Sequence, residues 1–195
     1  MPKKIAIILT AGYADWECAF INGIGSAYFG FETVNVSPDG QEIVSQGGLR
    51  TIPDDSMAHI KPNDFDMLIL CGSAIWETAE APDVKKLALN FLNENKYVAA
   101  ICGGTLALAD AGILDNRRHT SNALEFLTGK SETYNGSSYY VEGAAAISDD
   151  NVITAAGSSP VQFSAAVFRA VGVEEKTISE FLAMLASEHS KDIQM

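Results

Sequence analysis

Short apolar runs alternate with longer mixed segments along this chain. Residues 5–9 (Ile-Ala-Ile-Ile-Leu), 67–71 (Met-Leu-Ile-Leu-Cys) and 97–101 (Tyr-Val-Ala-Ala-Ile) carry almost no polar side chains. Runs of that kind suit strands buried on both faces, as in parallel sheets. Strands are predicted over residues 4–10, 31–37, 65–71 and 97–101. Between them the apolar positions recur at helical spacing. Trp16, Phe20, Ile24 and Ala27 share one face of a helix predicted over 14–29, and Val84, Leu87, Ala88, Phe91 and Leu92 share one over 82–95, with Pro82 at its start. A helix follows Cys102 and ends near Gly112, residues 122–127 allow one or two helical turns, and helices are expected over 161–171 and 174–189.

Strands separated by helices make βαβ units. The expected fold class is α/β, a mostly parallel sheet with helices on both faces. A small β-hairpin is expected from 42–44 and 49–51 around Gly47-Gly48, and a second from 144–148 and 152–155 around Asp149-Asp150-Asn151. Neither a repeat nor a linker interrupts the chain, so its 195 residues read as a single domain, 1–195. In such sheets ligands bind beyond the carboxyl ends of the strands. Residues 10–17, residues 71–77 and the turn at Cys102 converge there.

Charge and composition narrow the partners. A net charge of −12 argues against nucleic acid and anionic membranes, which need basic faces. The apolar run at 5–9 is too short for a signal peptide, and no segment approaches the roughly 20 apolar residues of a membrane span. With three cysteines and no CxxC, neither a disulfide framework nor a zinc site is suggested, and the cytoplasm is the expected compartment. Metal ligands do not cluster, and neither GxxxxGK[ST] nor GxGxxG is present to cradle phosphates, so no cofactor and no metal is expected.

Cys102 is the leading chemical candidate. A free cysteine is most often a small buried hydrophobe. Here it ends a buried strand, and Gly103-Gly104 opens a helix directly after it. A thiol at that junction meets free backbone N–H groups, which favour the reactive thiolate, so a depressed thiol pKa is expected. Glu17 or Asp15, just after the first strand, is placed to point across the sheet edge at Cys102. A protonated carboxyl there would donate a hydrogen bond to the sulfur. Gly72 and Ser73 leave the third strand where their N–H groups, with that of Gly103, would form an oxyanion hole. His119 is the candidate imidazole base near the sheet edge; His59 and His189 are expected at the surface. Cys18 and Cys71 read as packing residues, with mixed-disulfide chemistry between Cys71 and Cys102 as the alternative.

Taken together, several segments resemble the ThiJ/PfpI family of the class I glutamine amidotransferase-like superfamily. They are Ile8-Leu9-Thr10-Ala11-Gly12-Tyr13-Ala14-Asp15-Trp16-Glu17, Asp66-Met67-Leu68-Ile69-Leu70-Cys71-Gly72, Ala99-Ala100-Ile101-Cys102-Gly103-Gly104, Ala111-Gly112-Ile113-Leu114-Asp115 and Asn151-Val152-Ile153-Thr154-Ala155-Ala156-Gly157. The resemblance implies a flavodoxin-like three-layer sandwich, a homodimer, a reactive Cys102 on a nucleophile elbow, and Glu17 rather than Asp15 as its carboxyl partner. It also implies cofactor-free chemistry on a small-molecule substrate, of the amidase, protease or glyoxalase kind; the alternative is a non-catalytic oxidative-stress sensor, in which an oxidant meets the same cysteine, or a chaperone-like protein that uses it. The sequence departs from the family in its histidines. Protease-like members carry His directly after the cysteine, where this chain has Gly103; deglycase-like members carry it about twenty residues on, where this chain has Asn122. Glu77 matches the spacing of the intersubunit acid of protease-like members.

Overall fold

The computed structural model describes residues 2–143 and 145–187. His189 and the first residue of the predicted strand at 144–148 lie outside the described residues. The main sheet has seven strands in the order β5-β2-β1-β6-β7-β9-β8, and a separate two-stranded sheet is formed by β3 (Ile43–Val44) and β4 (Arg50–Thr51). The main sheet is built from β1 (Lys4–Ile8), β2 (Glu32–Ser37), β5 (Asp55–Ser56), β6 (Met67–Leu70), β7 (Tyr97–Ile101), β8 (Ala146–Asp149) and β9 (Val152–Ala155). All neighbours pair in parallel except β8, which returns antiparallel on β9. This is the flavodoxin-like architecture expected from the sequence.

The two-sided burial of the central strands explains their composition. Along β1, Ile5 and Ile7 face one side while Ala6 and Ile8 face the other, and all four are fully buried. Ile5 and Ile7 join Ile69, Ile101, Ile153 and the aromatic rings of Phe163, Phe168 and Phe181 from α5 (Pro160–Ala170) and α6 (Glu175–Ala186). Ala6 and Ile8 join Leu68, Leu70 and Val98, covered by Phe91 of α2 (Lys85–Asn93), Leu106 and Leu108 of α3 (Gly104–Asp110), and Leu127 of α4 (Leu124–Lys130). Each large side chain so buried contributes about 1.5–3 kcal/mol. Surface pairs such as Lys4–Glu32 contribute at most about 1 kcal/mol, so apolar burial decides the fold.

The first predicted helix differs from expectation. Residues 15–17 form a turn and residue 18 a bend, helix starts at residue 19, a π-helical stretch spans Ile21–Gly25, and α1 (Ser26–Phe29) completes it before Gly30 ends it in the left-handed region. The Glu17 N–H donates to the Ala14 carbonyl at 3.2 Å, and this turn throws Trp16 outward, 47% exposed rather than on the buried face. Ala27 is likewise exposed. Gly25 admits Phe31 so closely that a Cβ there would sit 2.7 Å from its ring. Pro82 lies ahead of α2, whose first N–H is bound by the Asp83 carboxylate at 2.9 Å. The hairpin of β3 (Ile43–Val44) and β4 (Arg50–Thr51) forms as expected. It is fastened to the loop after β1 by Gly12 N–H to Val44 O and Gln46 N–H to Tyr13 O, both 2.8 Å.

Candidate active site

The carboxyl ends of β1, β6, β7 and β9 bring four short segments together. Cys102 directly follows β7, and its N–H donates to Ala155 O at 3.0 Å, extending the pairing with β9. Its φ is +55°, the left-handed region, where a residue with a Cβ is strained. The side chain is partly exposed. This is the sharp strand-to-helix turn that the Gly103-Gly104 pair predicts.

Glu17 is fully buried beside it. Its Oε2 accepts the Gly72 N–H at 2.8 Å, while Oε1 has no hydrogen-bond partner. Two glycines make room for the pair. A Cβ on Gly72 would lie 2.3 Å from Glu17 Oε2 and 2.6 Å from Cys102 Cβ. One on Gly157 would lie 2.7 Å from Cys102 Sγ and 3.0 Å from Glu17 Oε1. The unpartnered oxygen and the sulfur therefore border the same small space. Asp15 serves elsewhere: its Oδ2 accepts the Gly47 N–H at 2.7 Å and ties down the hairpin.

Burial pushes the Glu17 carboxyl above its ordinary range, against the pull of the Cys102 thiol and the Gly72 N–H. Burial also raises the Cys102 thiol, and an ionised Glu17 raises it further, while the Asn122 amide and Gly103 N–H pull it down. The depressed thiol expected from the sequence is thus not found, because burial first and the neighbouring Glu17 carboxylate second outweigh the Asn122 and Gly103 donors. A proton placed on Oε1 would turn the repelling oxygen into a donor toward sulfur and remove the charge that opposes the thiolate.

Asn122 takes the position facing the sulfur. Its Oδ1 accepts the Gly157 N–H at 2.9 Å, which fixes the amide orientation, and its Nδ2 donates to Cys102 Sγ at 3.4 Å. An amide nitrogen cannot accept a proton, so Asn122 is a donor only. His119 is drawn into a different cluster and is corrected as a candidate base. It is fully buried, with Nδ1 at 2.7 Å from Arg117 O and Nε2 at 2.7 Å from the Tyr134 hydroxyl. Nδ1 therefore carries the proton, Nε2 accepts from Tyr134, and burial holds the ring below its ordinary pKa. Its edge packs on Tyr134 and Tyr140. His59 is exposed and paired with Asp55.

The oxyanion-hole reading also changes. The Gly72 N–H is spent on Glu17, which leaves those of Ser73 and Gly103. Ser73 is held by a 2.5 Å hydroxyl contact with Thr10. Glu77 forms a surface pair with Lys130 at 3.3 Å. Cys18 and Cys71 are buried and free, and Cys71 is raised well above an ordinary thiol, first by contact with Cys18 and then by burial, which fits inert packing residues. Sequence reasoning did not single out Gly157, Thr105 or Ser121; the two hydroxyls pack against each other behind the elbow. Among the described residues, no three His, Cys, Asp or Glu side chains are grouped to hold a metal, and no helix is long and apolar enough to cross a membrane.

The family model of the DJ-1/PfpI family matches residues 3–170. An uncharacterized protease, YoaZ, of Bacillus subtilis (strain 168) is 33% identical over 179 residues, covering 88% of this chain and 84% of that protein. A deglycase of Pyrococcus abyssi (strain GE5 / Orsay) is 32% identical over 80 residues, 40% of this chain and 48% of its own. Among solved structures, the DJ-1 superfamily protein Atu0886 from Agrobacterium tumefaciens superposes with a TM-score of 0.91 at 35% identity, covering 96% of this chain and all of the other.

Proposed function

Since this chain belongs to the DJ-1/PfpI family, we propose that it is a cytoplasmic, cofactor-free enzyme of small-carbonyl chemistry in which Cys102 is the nucleophile and Glu17 moves the protons. The observation that carries this reading is the buried Glu17 carboxyl, with one oxygen bound to the Gly72 N–H and the other unpartnered beside the thiol. Peptide hydrolysis must also protonate a departing amine, and Asn122, the side chain facing the sulfur, cannot serve as a second acid–base group beside Glu17. An aldehyde has no leaving group to protonate. The thiolate adds to the carbonyl carbon, the C=O electron pair moves to oxygen, and that oxygen takes the Glu17 proton while the Ser73 and Gly103 N–H groups hold it. With a 2-oxoaldehyde, the carboxylate so formed then removes the proton from the same carbon, and the electron pair moves onto the adjacent ketone oxygen as an enediolate. Glu17 returns the proton to the neighbouring carbon, and the hydroxyl proton passes from the first oxygen to the second. The product is a hydroxyacyl thioester, which water cleaves to the hydroxy acid and free Cys102.

The test is turnover of methylglyoxal by the purified full chain. Cys102→Ser is expected to be inactive, and Glu17→Gln to lose on the order of 100-fold or more, the scale of general acid–base catalysis. Wild-type turnover no higher than that of Cys102→Ser would overturn the reading. Ready peroxide oxidation of Cys102 in that case would instead favour the sensor, which needs the thiol and no substrate.

Homodimer formation belongs to the same proposal. Val44, Leu49 and Ile52 on and beside the hairpin, and Trp16 on the loop bonded to it, are 47–81% exposed, more apolar surface than a monomer profits from. Sedimentation of the wild type is expected to give a dimer, and the double variant Leu49→Asp/Ile52→Asp a monomer. A monomeric wild type would remove the dimer from the proposal.

A further inference from the structure

Asn122 is exposed, and its contact with sulfur is a long one, 3.4 Å. The Gly157 N–H orients the amide through Oδ1, but water competes for such a side chain, so its reach to the sulfur also depends on how firmly its backbone is held. The strongest direct tie between its segment and the elbow is a pair of buried hydroxyls. Thr105 Oγ1 donates to the Cys102 carbonyl at 2.6 Å. A hydroxyl has one proton, so the 2.7 Å contact between Thr105 and Ser121 is a donation from Ser121 Oγ to Thr105 Oγ1. Both side chains are almost wholly buried, 0% and 3% exposed. Ser121 immediately precedes Asn122. The path Ser121–Thr105–Cys102 carbonyl and the path Asn122–Cys102 sulfur therefore close one ring around the nucleophile. The outer side of this segment is fixed by Thr120 N–H to Thr154 Oγ1 at 2.9 Å and Tyr140 O–H to Ser121 O at 3.3 Å.

We propose that Thr105 and Ser121 are positioning residues whose hydroxyl chain holds Asn122 against the Cys102 sulfur and thereby sets the reactivity of that thiol. The inference rests on Cys102 being the reactive thiol of the reaction proposed above. The Thr105 N–H also reaches the Cys102 carbonyl, at 3.1 Å, so removing the hydroxyl leaves that carbonyl with a partner and the elbow standing. The expected loss is in reactivity more than in folding.

Alkylation of Cys102 by iodoacetamide, followed by mass spectrometry across a pH series on the full chain, tests this. Thr105→Val keeps the shape and removes the hydroxyl; it is expected to slow alkylation near neutral pH about tenfold, the scale of one hydrogen bond to a charged group, and to move the titration upward. Thr105→Ser is expected to restore both. In an Asn122→Ala background, Thr105→Val is expected to add almost nothing, because it acts through the missing amide. Wild-type alkylation in Thr105→Val, or slowing that multiplies fully with that of Asn122→Ala, would overturn the proposal. Should Thr105→Val fail to fold by circular dichroism, Ser121→Ala decides on the same readout, since it cuts the chain and spares the bond to the carbonyl. Alkylation needs no substrate: a shifted profile in a protein without methylglyoxal turnover would sink the carbonyl reading and leave this one standing.

Discussion

Gly72→Ala is expected to dismantle the site while sparing the sheet. The added Cβ would stand 2.3 Å from Glu17 Oε2 and 2.6 Å from Cys102 Cβ, both far inside contact distance. Neither neighbour can step aside. Glu17 is fully buried, and the Cβ of Cys102 is fixed by a backbone already at φ +55°. Overpacking of this kind costs about 1–3 kcal/mol. Pushing Glu17 off the Gly72 N–H strands a buried polar group and costs about 1–3 kcal/mol more. For a chain of this length the sum lowers Tm on the order of 10 °C. Alkylation of Cys102 and any turnover fall together, because the carboxyl no longer faces the sulfur. Gly129→Ala is the control: a Cβ there meets nothing within 4 Å, and a helical alanine is expected to be neutral or slightly stabilising. Thermal unfolding of the two variants checks the contrast, and a Gly72→Ala protein that melts and alkylates like wild type would show that the space between Glu17 and Cys102 is not tight.

The parts of this molecule legible in the sequence are those set by periodicity and by turn chemistry. β1, β6 and β7 are apolar on both faces, so they could only be central strands, and Gly103-Gly104 after a buried run marks the elbow. Gly104 shows why: a Cβ there would sit 2.5 Å from Leu70 O, so α3 packs on β6 only without one. What periodicity could not show is where a chain turns. Trp16 has helical spacing from Phe20, yet the turn at 14–17 reverses its direction and sends Glu17 inward in its place. The segment 119–122 is a second case. Its nearness to the sheet edge was readable, but extended residues alternate in direction. His119 points into the Tyr134 and Tyr140 cluster, and Asn122 reaches the sulfur. The thiol illustrates a third limit: backbone donors near Cys102 could be inferred from the elbow, whereas the opposing charge of Glu17 depends on a burial that only the packed fold creates.

That burial leads to the other large effect, a gain of stability in a variant that loses activity. Free Glu titrates near 4.5, and in the fold burial holds the Glu17 carboxyl higher. Between those two values the folded chain keeps a proton that the unfolded chain has released, so stability falls as pH rises through the window, and above it the full cost of a buried carboxylate is in place. Glu17→Gln carries no charge at any pH, and its amide oxygen can still accept the Gly72 N–H. The variant is therefore expected to match wild type near pH 4 and to pull ahead as pH rises above the ordinary carboxyl value. At the plateau the gain is the full cost of burying the charge, read as a higher Tm for the variant. The same substitution removes the exchangeable proton, so turnover is lost where stability is gained. Melting curves of the two proteins across a pH series decide the matter. Curves that stay parallel from acid to alkaline pH would mean that Glu17 bears no cost of charge burial, and the proposed role of its carboxyl as a proton donor would lose its physical basis.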